Sequence, residues 1–110
     1  MLPEEKIRYA LRDPDKRKPF EALGFTEKAD NWQTLRNRIV ERLPRDPATF
    51  VQATMWGEIY NVDMVIEGTA DKRAPVRTGW IYRSGEDFPR LTTLYVKTTE
   101  WRRMERKDTI

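Results

Sequence analysis

The sequence contains no cysteine and no histidine. Without cysteine there is no disulfide framework, no thiolate zinc site and no thiol nucleophile. Without histidine, the Ser-His-Asp and Cys-His arrangements are excluded, as is the imidazole acid-base pair of many ribonucleases. Any hydrolytic chemistry must therefore depend on carboxylates, Lys, Arg, Tyr or Thr.

Long apolar runs are also absent, and the opening stretch "MLPEEKIRYA" has no apolar signal-peptide core. We therefore expect no membrane association and a cytoplasmic location. The acidic residues are scattered without metal-site spacing, and no phosphate-binding loop, dinucleotide fingerprint or calcium loop occurs. The sequence accordingly predicts neither a metal site nor a cofactor.

The composition is that of a small, polar, globular chain. Its 110 residues are enough for one domain, residues 1–110, with one modest core. Charged residues make up 35%, and four each of Trp, Tyr and Phe argue against disorder. The net charge of +3 is compatible with RNA or an acidic protein as a partner, but requires neither.

The first part of the chain, residues 1–45, has helical patterns. "LPEEKIRYALRD" starts with Pro and two Glu, which favour a helix start, and Gly24 is suited to close a short turn in "FEALGF". In "DNWQTLRNRIVERLP" the apolar residues recur at helical spacing, with Asp30 as the expected N-cap. They are Trp32, Leu35, Ile39 and Leu43. The opposite face carries Arg36, Arg38, Glu41 and Arg42, which we expect to be solvated.

Residues 46–98 change to the alternating pattern of strands, including "TFVQATMW" and "EIYNVDMVIEG". The sequence therefore predicts an α+β fold in which two to three N-terminal helices pack on a four-stranded antiparallel β-meander. The charged tail, residues 99–110, is expected either to fray or to form a short helix docked by Trp101.

The last two predicted strands, from Ala74 to Thr98, carry three Arg, one Lys, four Thr and two Tyr. Such a ribbon can hold phosphates with its cations and stack nucleotides on its aromatics. It can equally be a solvated sheet face whose cations prevent edge pairing. Alternation places Thr93, Tyr95 and Lys97 on one face and Arg90 on the other, so a bulge near Pro89 is needed to bring Arg90 beside Thr93.

Two motifs resemble an uncharacterised bacterial family, domain of unknown function 6883. The first, an "F..LGF" followed by "NW..L", comprises Phe20, Leu23, Gly24, Phe25, Asn31, Trp32 and Leu35. The second comprises Val76, Thr78, Trp80, Ile81, Gly85, Glu86, Pro89, Arg90, Leu91, Thr93 and Tyr95. The resemblance extends over about residues 3–97, nearly the whole chain.

More distantly, the last strand "TTLY" in its meander is similar to the barnase–colicin–RelE ribonucleases of bacterial toxin systems. This likeness implies a small, toxin-type, metal-independent ribonuclease or RNA-binding domain. The implied catalytic residues are Arg90, Thr93, Tyr95 and Lys97. The implied substrate-binding residues are Arg77, Thr78 and Tyr60. In this hypothesis Arg90 and Arg77 clamp the phosphate, while Tyr95 or a Lys97 of lowered pKa moves protons.

The alternative is a non-catalytic interaction protein: an immunity protein, an antitoxin or a phage-type inhibitor that binds a partner protein. The partners expected for the domain are RNA or an acidic cognate protein, such as an antitoxin or immunity protein. The small size, the charged surface and the scarcity of acid-base groups fit this hypothesis equally well, and a homodimer is compatible with it. A nuclease requires the cationic ribbon residues to converge with a perturbed pKa. An interaction protein would instead present a flat or apolar patch.

Overall fold

A computed structural model describes residues 2–69 and 71–108 of the chain. Its elements, in chain order, are α1 (Glu4–Arg12), α2 (Arg17–Ala22), α3 (Trp32–Arg42), β1 (Ala48–Thr54), β2 (Gly57–Glu67), β3 (Arg73–Arg83), β4 (Arg90–Val96) and α4 (Thr98–Asp108). The α+β prediction is confirmed. The C-terminal tail contains a helix with Trp101 buried against the domain, while residues 109 and 110 lie outside the described residues.

The four strands form one antiparallel sheet in the order β1-β2-β3-β4, as the meander prediction required. β2 and β3 pair along their whole length, from Gly57 opposite Arg83 to Glu67 opposite Arg73. β1 is shorter and pairs with β2 only as far as Val62, with a register shift at Val51. The far half of β2 therefore has no strand on that side.

One face of the sheet, here the inner face, packs against α1 and α3 and contains the core. Strand alternation directs every second side chain to this face. The helices and the turn after α2 contribute Ile7, Ala10, Leu11, Phe20, Leu23, Phe25, Leu35 and Ile39, and the sheet contributes Val62, Met64, Ile66, Ala74, Val76, Trp80, Leu91, Leu94 and Val96. The opposite, outer face carries polar residues of all three strands, among them Asp63, Arg77 and Tyr95.

The segment after α2 confirms the role predicted for Gly24. Gly24 has φ 95°, a left-handed conformation that glycine adopts without strain. The amide of Gly24 donates to the carbonyl of Glu21, and the amide of Phe25 donates to that of Phe20. This is the Schellman pattern, and it turns both phenylalanines into the core.

The start of α3 differs from the prediction. The N-cap position is Asn31 rather than Asp30, and its side chain makes no cap hydrogen bond to the helix. The side-chain Nδ2 of Asn31 instead donates to the backbone carbonyl of Gly24, and the side-chain Oδ1 of Asn31 accepts from the backbone amide of Thr26. Asn31 therefore joins the loop to the end of α2. In the described residues, no helix is long and apolar enough to cross a bilayer.

Candidate functional site

A β-bulge at Thr92 determines which side chains of β4 share a face. Trp80 pairs with Leu91 and Gly79 pairs with Thr93, so Thr92 is left without a partner. Two residues then oppose one, and the alternation shifts by one position. Arg90 and Thr93 consequently lie on the same outer face, together with Tyr95. The sequence required a bulge near Pro89 for this arrangement, and the structure has it three residues later.

Gly79 lies opposite the bulge, and its missing side chain makes room for the two threonines. A Cβ atom at Gly79 would be 2.5 Å from Thr93 Cγ2 and 3.4 Å from Thr92 Oγ1. The Thr93 hydroxyl also accepts a 3.4 Å hydrogen bond from Lys16 Nζ, which reaches it from the loop between α1 and α2. Thr93 is therefore half-buried and already has a polar partner.

Beside the threonines is a network of charged side chains on the outer face, with Asp63 at its centre. Arg77 Nε and Nη2 donate to its two carboxylate oxygens at 2.8 and 2.9 Å, and Lys97 Nζ donates at 3.1 Å. Lys97 also donates to Glu100 of α4, and Arg77 Nη1 lies 3.5 Å from the Tyr95 hydroxyl. We call these five residues the outer-face network.

Pairing within the network moves each shifted pKa further from neutrality. The hydrogen bond from Arg77 lowers the pKa of Asp63, and the same bond raises that of Arg77. The hydrogen bond to Glu100 raises the pKa of Lys97, with Asp63 acting in the same direction. Proton transfer by Lys97 required a lowered pKa, and the structure gives the opposite direction. Lys97 is an ammonium ion at neutral pH.

Arg90, the predicted phosphate clamp, is engaged away from the network. Its guanidinium donates to Glu86 at 2.7 and 3.0 Å, and it lies over the Phe88 ring at 5.1 Å from the ring centre. The Glu86 hydrogen bond raises the pKa of Arg90 and lowers that of Glu86. Arg90 thus lies on the outer face, as phosphate binding would require, but its contacts are with Glu86 and Phe88 in the loop between β3 and β4.

The other two predicted substrate-binding residues lie on the inner face. Thr78 is fully buried, and its hydroxyl donates to the Val62 carbonyl while accepting from Trp80 Nε1, both at 2.8 Å. This placement makes Thr78 a core residue with no access to a ligand. Tyr60 is half-buried, and its ring has edge contacts with Phe50 at 5.5 Å and with Tyr82 at 6.3 Å between ring centres.

These three aromatic residues border a surface that sequence reasoning missed. The helices cover only part of the inner face, leaving a groove of about 470 Å³ across β1, β2 and β3. We call it the apolar groove; its lining includes Leu2, Leu43, Ala48, Tyr60, Trp80 and Tyr82. Arg36 is the one charged residue that lines it. Phe50 and Tyr82 remain 51% and 41% exposed, so this aromatic row is open to a ligand or partner.

The hairpin between β1 and β2 extends the apolar surface to its tip. Met55 and Trp56 occupy the turn and are 83% and 68% exposed. On β1 every residue from Ala48 to Ala53 is exposed. A sequence signal existed for this part: residues 47–57 contain no charged residue, in a chain that is 35% charged. The groove itself had no such signal, since its lining comes from distant segments.

Within the described ranges, no group of three or more His, Cys, Asp or Glu side chains is arranged to hold a metal ion. The comparison with protein families matches residues 9–98 to Domain of unknown function (DUF6883). Comparison with curated proteins and with solved structures returned no match. The matched range includes the Schellman turn, the whole sheet and the Thr92 bulge. The chain belongs to the DUF6883 family.

Proposed function

We propose that this domain is a non-catalytic interaction protein, which binds an extended apolar segment of an acidic partner protein along β1 and the apolar groove. The observation that carries the proposal is the exposed row formed by Phe50, Tyr60 and Tyr82 on the uncovered half of the inner face. Aromatic side chains in a concave apolar surface are the usual anchors of protein–protein binding.

The free edge of β1 supports an extended partner segment. Ala48–Thr54 contains no charged residue and no proline, the two features that commonly protect an edge strand from pairing. Its outward backbone amides and carbonyls can therefore pair with an added strand. Alternate side chains of that strand would point to the inner face, where the groove continues from Ala48 to Tyr60.

Charge supports the acidic character of the partner. Arg36 lines the groove, and its Nε is held by the Leu2 carbonyl at 3.3 Å. Arg45 lies three residues before β1, and Arg83 is opposite Gly57 at the hairpin tip. Arg45 and Arg83 therefore lie near the two ends of an uncharged strand, where Asp46 and Glu58 are the neighbouring acids, in a chain of net charge +3. An apolar segment with acidic flanks complements this pattern.

The test is site-specific photo-crosslinking in cells from a photoreactive residue placed at Trp56, followed by binding assays with the purified captured protein. We expect an acidic protein whose Kd rises at least about tenfold for Phe50→Ser and for Trp56→Ser, as for interface anchors. Tyr9→Ser, which removes an equally exposed aromatic residue from α1, is the matched control and should leave Kd unchanged. Crosslinks to a second copy of the chain alone, or equal effects of all three variants, would refute the proposal.

A second candidate function is metal-independent RNA cleavage on the outer face. The Thr92 bulge favours it by placing Arg90 and Thr93 on the face that also holds Tyr95 and Arg77. The distant likeness to the barnase–colicin–RelE superfamily adds to this candidate. RNA cleavage would need Arg77 or Arg90 to leave its carboxylate partner for the substrate phosphate. Tyr95 would then carry the proton transfer, since Lys97 is held as a cation.

Incubation of purified protein with total RNA and EDTA tests this second function. Cleavage that persists in EDTA and is lost in Arg90→Ala and Tyr95→Ala would support it. Arg103→Ala on α4 is the control for loss of one exposed arginine. RNA that stays intact in every lane would exclude the ribonuclease and leave the interaction protein.

A further inference from the structure

A second cleft lies on the other side of α3, where β2 has no neighbouring strand. β1 pairs with β2 only up to Val62, and the end of β2 from Val65 to Glu67 lines this cleft together with residues of α3. The cleft has a volume of about 340 Å³, and Val65 and Ile66 are the apolar residues of its lining. The charged residues of its lining are Arg38, Glu41, Arg42, Arg45, Glu67 and Arg73.

The three arginines of the α3 side share one face because they are spaced four and three residues apart. Arg38 and Arg42 belong to α3, and Arg45 is in the turn that follows it. Arg73 begins β3 and brings a fourth guanidinium from the sheet. The sequence pattern of α3 indicated a solvated charged face, but Arg38 is half-buried here.

Most of this positive charge has no partner. Arg42 is neutralised by Asp46, which accepts two hydrogen bonds from it at 2.9 and 3.0 Å. Across residues 2–69 and 71–108, Arg38, Arg45 and Arg73 make no ion pair. The Nε atom of Arg38 is also buried without an acceptor, which is unfavourable for a charged donor.

We infer that this cleft binds a phosphate group of a small molecule, either inorganic phosphate or a phosphate monoester. The planar guanidinium fork matches two phosphate oxygens at once, so two or three converging arginines hold one such group. The cleft shares no lining residue with the apolar groove, although Arg45 also lies close to the start of β1, and the inference does not depend on the proposed protein partner.

Two carboxylates line the same cleft, so substitutions of opposite charge should change the phosphate affinity in opposite directions. Glu41 and Glu67 repel an incoming anion, so their removal should strengthen binding, while removal of an arginine should weaken it. A surface that attracts anions only through overall charge would respond equally to any charge change. A built site responds most at its own residues.

The experiment is isothermal titration calorimetry of the full chain with inorganic phosphate and with glycerol 3-phosphate, against sodium chloride of equal ionic strength. We expect saturable binding that weakens about tenfold or more in Arg45→Gln and Arg73→Gln, the loss of one charge-assisted contact. Glu67→Gln should bind more tightly than wild type. Arg38→Gln is included with a check of folding, because its Nε is buried.

Arg17→Gln on α2 is the matched control, since it removes the same charge from an exposed arginine outside the cleft. The inference is overturned if neither phosphate gives saturable heat, or if Arg17→Gln weakens binding as much as Arg45→Gln. It is also overturned if a single-stranded RNA oligonucleotide binds at this cleft while both small phosphates fail. If both phosphates bind, the ratio of their two affinities identifies inorganic phosphate or the phosphate monoester as the preferred ligand.

Discussion

Asp63 and Arg77 face each other across β2 and β3 in a two-pronged ion pair, with nitrogen–oxygen distances of 2.8 and 2.9 Å. Because Asp63 also accepts from Lys97, one carboxylate holds two of the cations that the sequence pattern indicated for phosphate binding. The cationic ribbon is thus largely neutralised by the chain itself. The pairing of Asp63 with these cations should be measurable in the folding stability of the domain.

Asp63 should make folding stability sensitive to acid. Its pKa is lowered by the Arg77 hydrogen bond and then by Lys97, so the folded state binds the proton less readily than the unfolded state. This contribution is present above the unfolded pKa of about 3.9 and is lost as the pH falls through the folded pKa. Because Asp63 is 40% exposed, solvent screening keeps the contribution small.

Urea unfolding of wild type and Asp63→Asn from pH 2 to pH 7 measures this effect. The variant should be less stable at pH 7 and should lose less stability below about pH 4. Glu58→Gln is the matched control, since it removes one carboxylate from an exposed position of the same strand, and its curve should follow that of wild type. Curves that remain parallel for wild type and Asp63→Asn would contradict the prediction.

Thr78→Val should destabilise the domain. The substitution keeps the shape of the side chain, but it leaves the buried Trp80 indole N–H without an acceptor and the Val62 carbonyl without this donor. We expect a loss of about 1–3 kcal/mol in the free energy of unfolding. Thr92→Val at the exposed bulge is the control, and an equal loss there would show that the buried hydrogen bonds are not the cause.

Gly79→Ala should be destabilising because its Cβ would meet Thr93 Cγ2 at 2.5 Å. Overpacking of this kind costs about 1–3 kcal/mol. Thr93→Ser deletes the colliding methyl group, so the double variant should recover at least about 0.5 kcal/mol relative to the sum of the single variants. Strict additivity in this double-mutant cycle would place the strain elsewhere.

Trp56→Ser should change the free energy of unfolding by less than about 0.5 kcal/mol, because the side chain is 68% exposed at the hairpin tip. Trp101→Ser, by contrast, removes a tryptophan of α4 that is only 9% exposed and should be clearly destabilising. Thermal unfolding of both variants checks the pair. A large loss for Trp56→Ser would mean that the tip contributes to the fold, and its role as a free anchor would be untenable.

Alternation and helical spacing were sufficient to predict the fold. Leu35 and Ile39 are buried as their spacing required, and Gly24 closes α2 because its φ of 95° suits glycine. The prediction of Asp30 as the N-cap of α3 was wrong. The Asn31 side chain binds the Gly24 carbonyl, a tertiary contact that the local sequence pattern does not encode. The register shift at Thr92 likewise follows from the pairing of β4 with β3.

The candidate site was less accessible to sequence reasoning. The charge pattern showed where the cations were. It did not show that Asp63, 14 residues before Arg77, lies directly opposite it in the sheet. Thr78 was predicted to bind substrate, but it is fully buried on the inner face, and this burial depends on how the helices cover the sheet. The apolar groove depends on where the helices stop, which no single segment specifies.

The position of β1 at the edge of the sheet also has a consequence for how the domain opens. β1 is hydrogen-bonded to β2 alone, and its side chains bury little surface. Such a strand can detach while β2, β3 and β4 remain intact, so its backbone amides should exchange with deuterium sooner than those of the central strands. A partner strand seated along β1 would close this local opening. Slowed exchange confined to residues 48–54 would then report occupancy of the edge, even before the partner's identity is known.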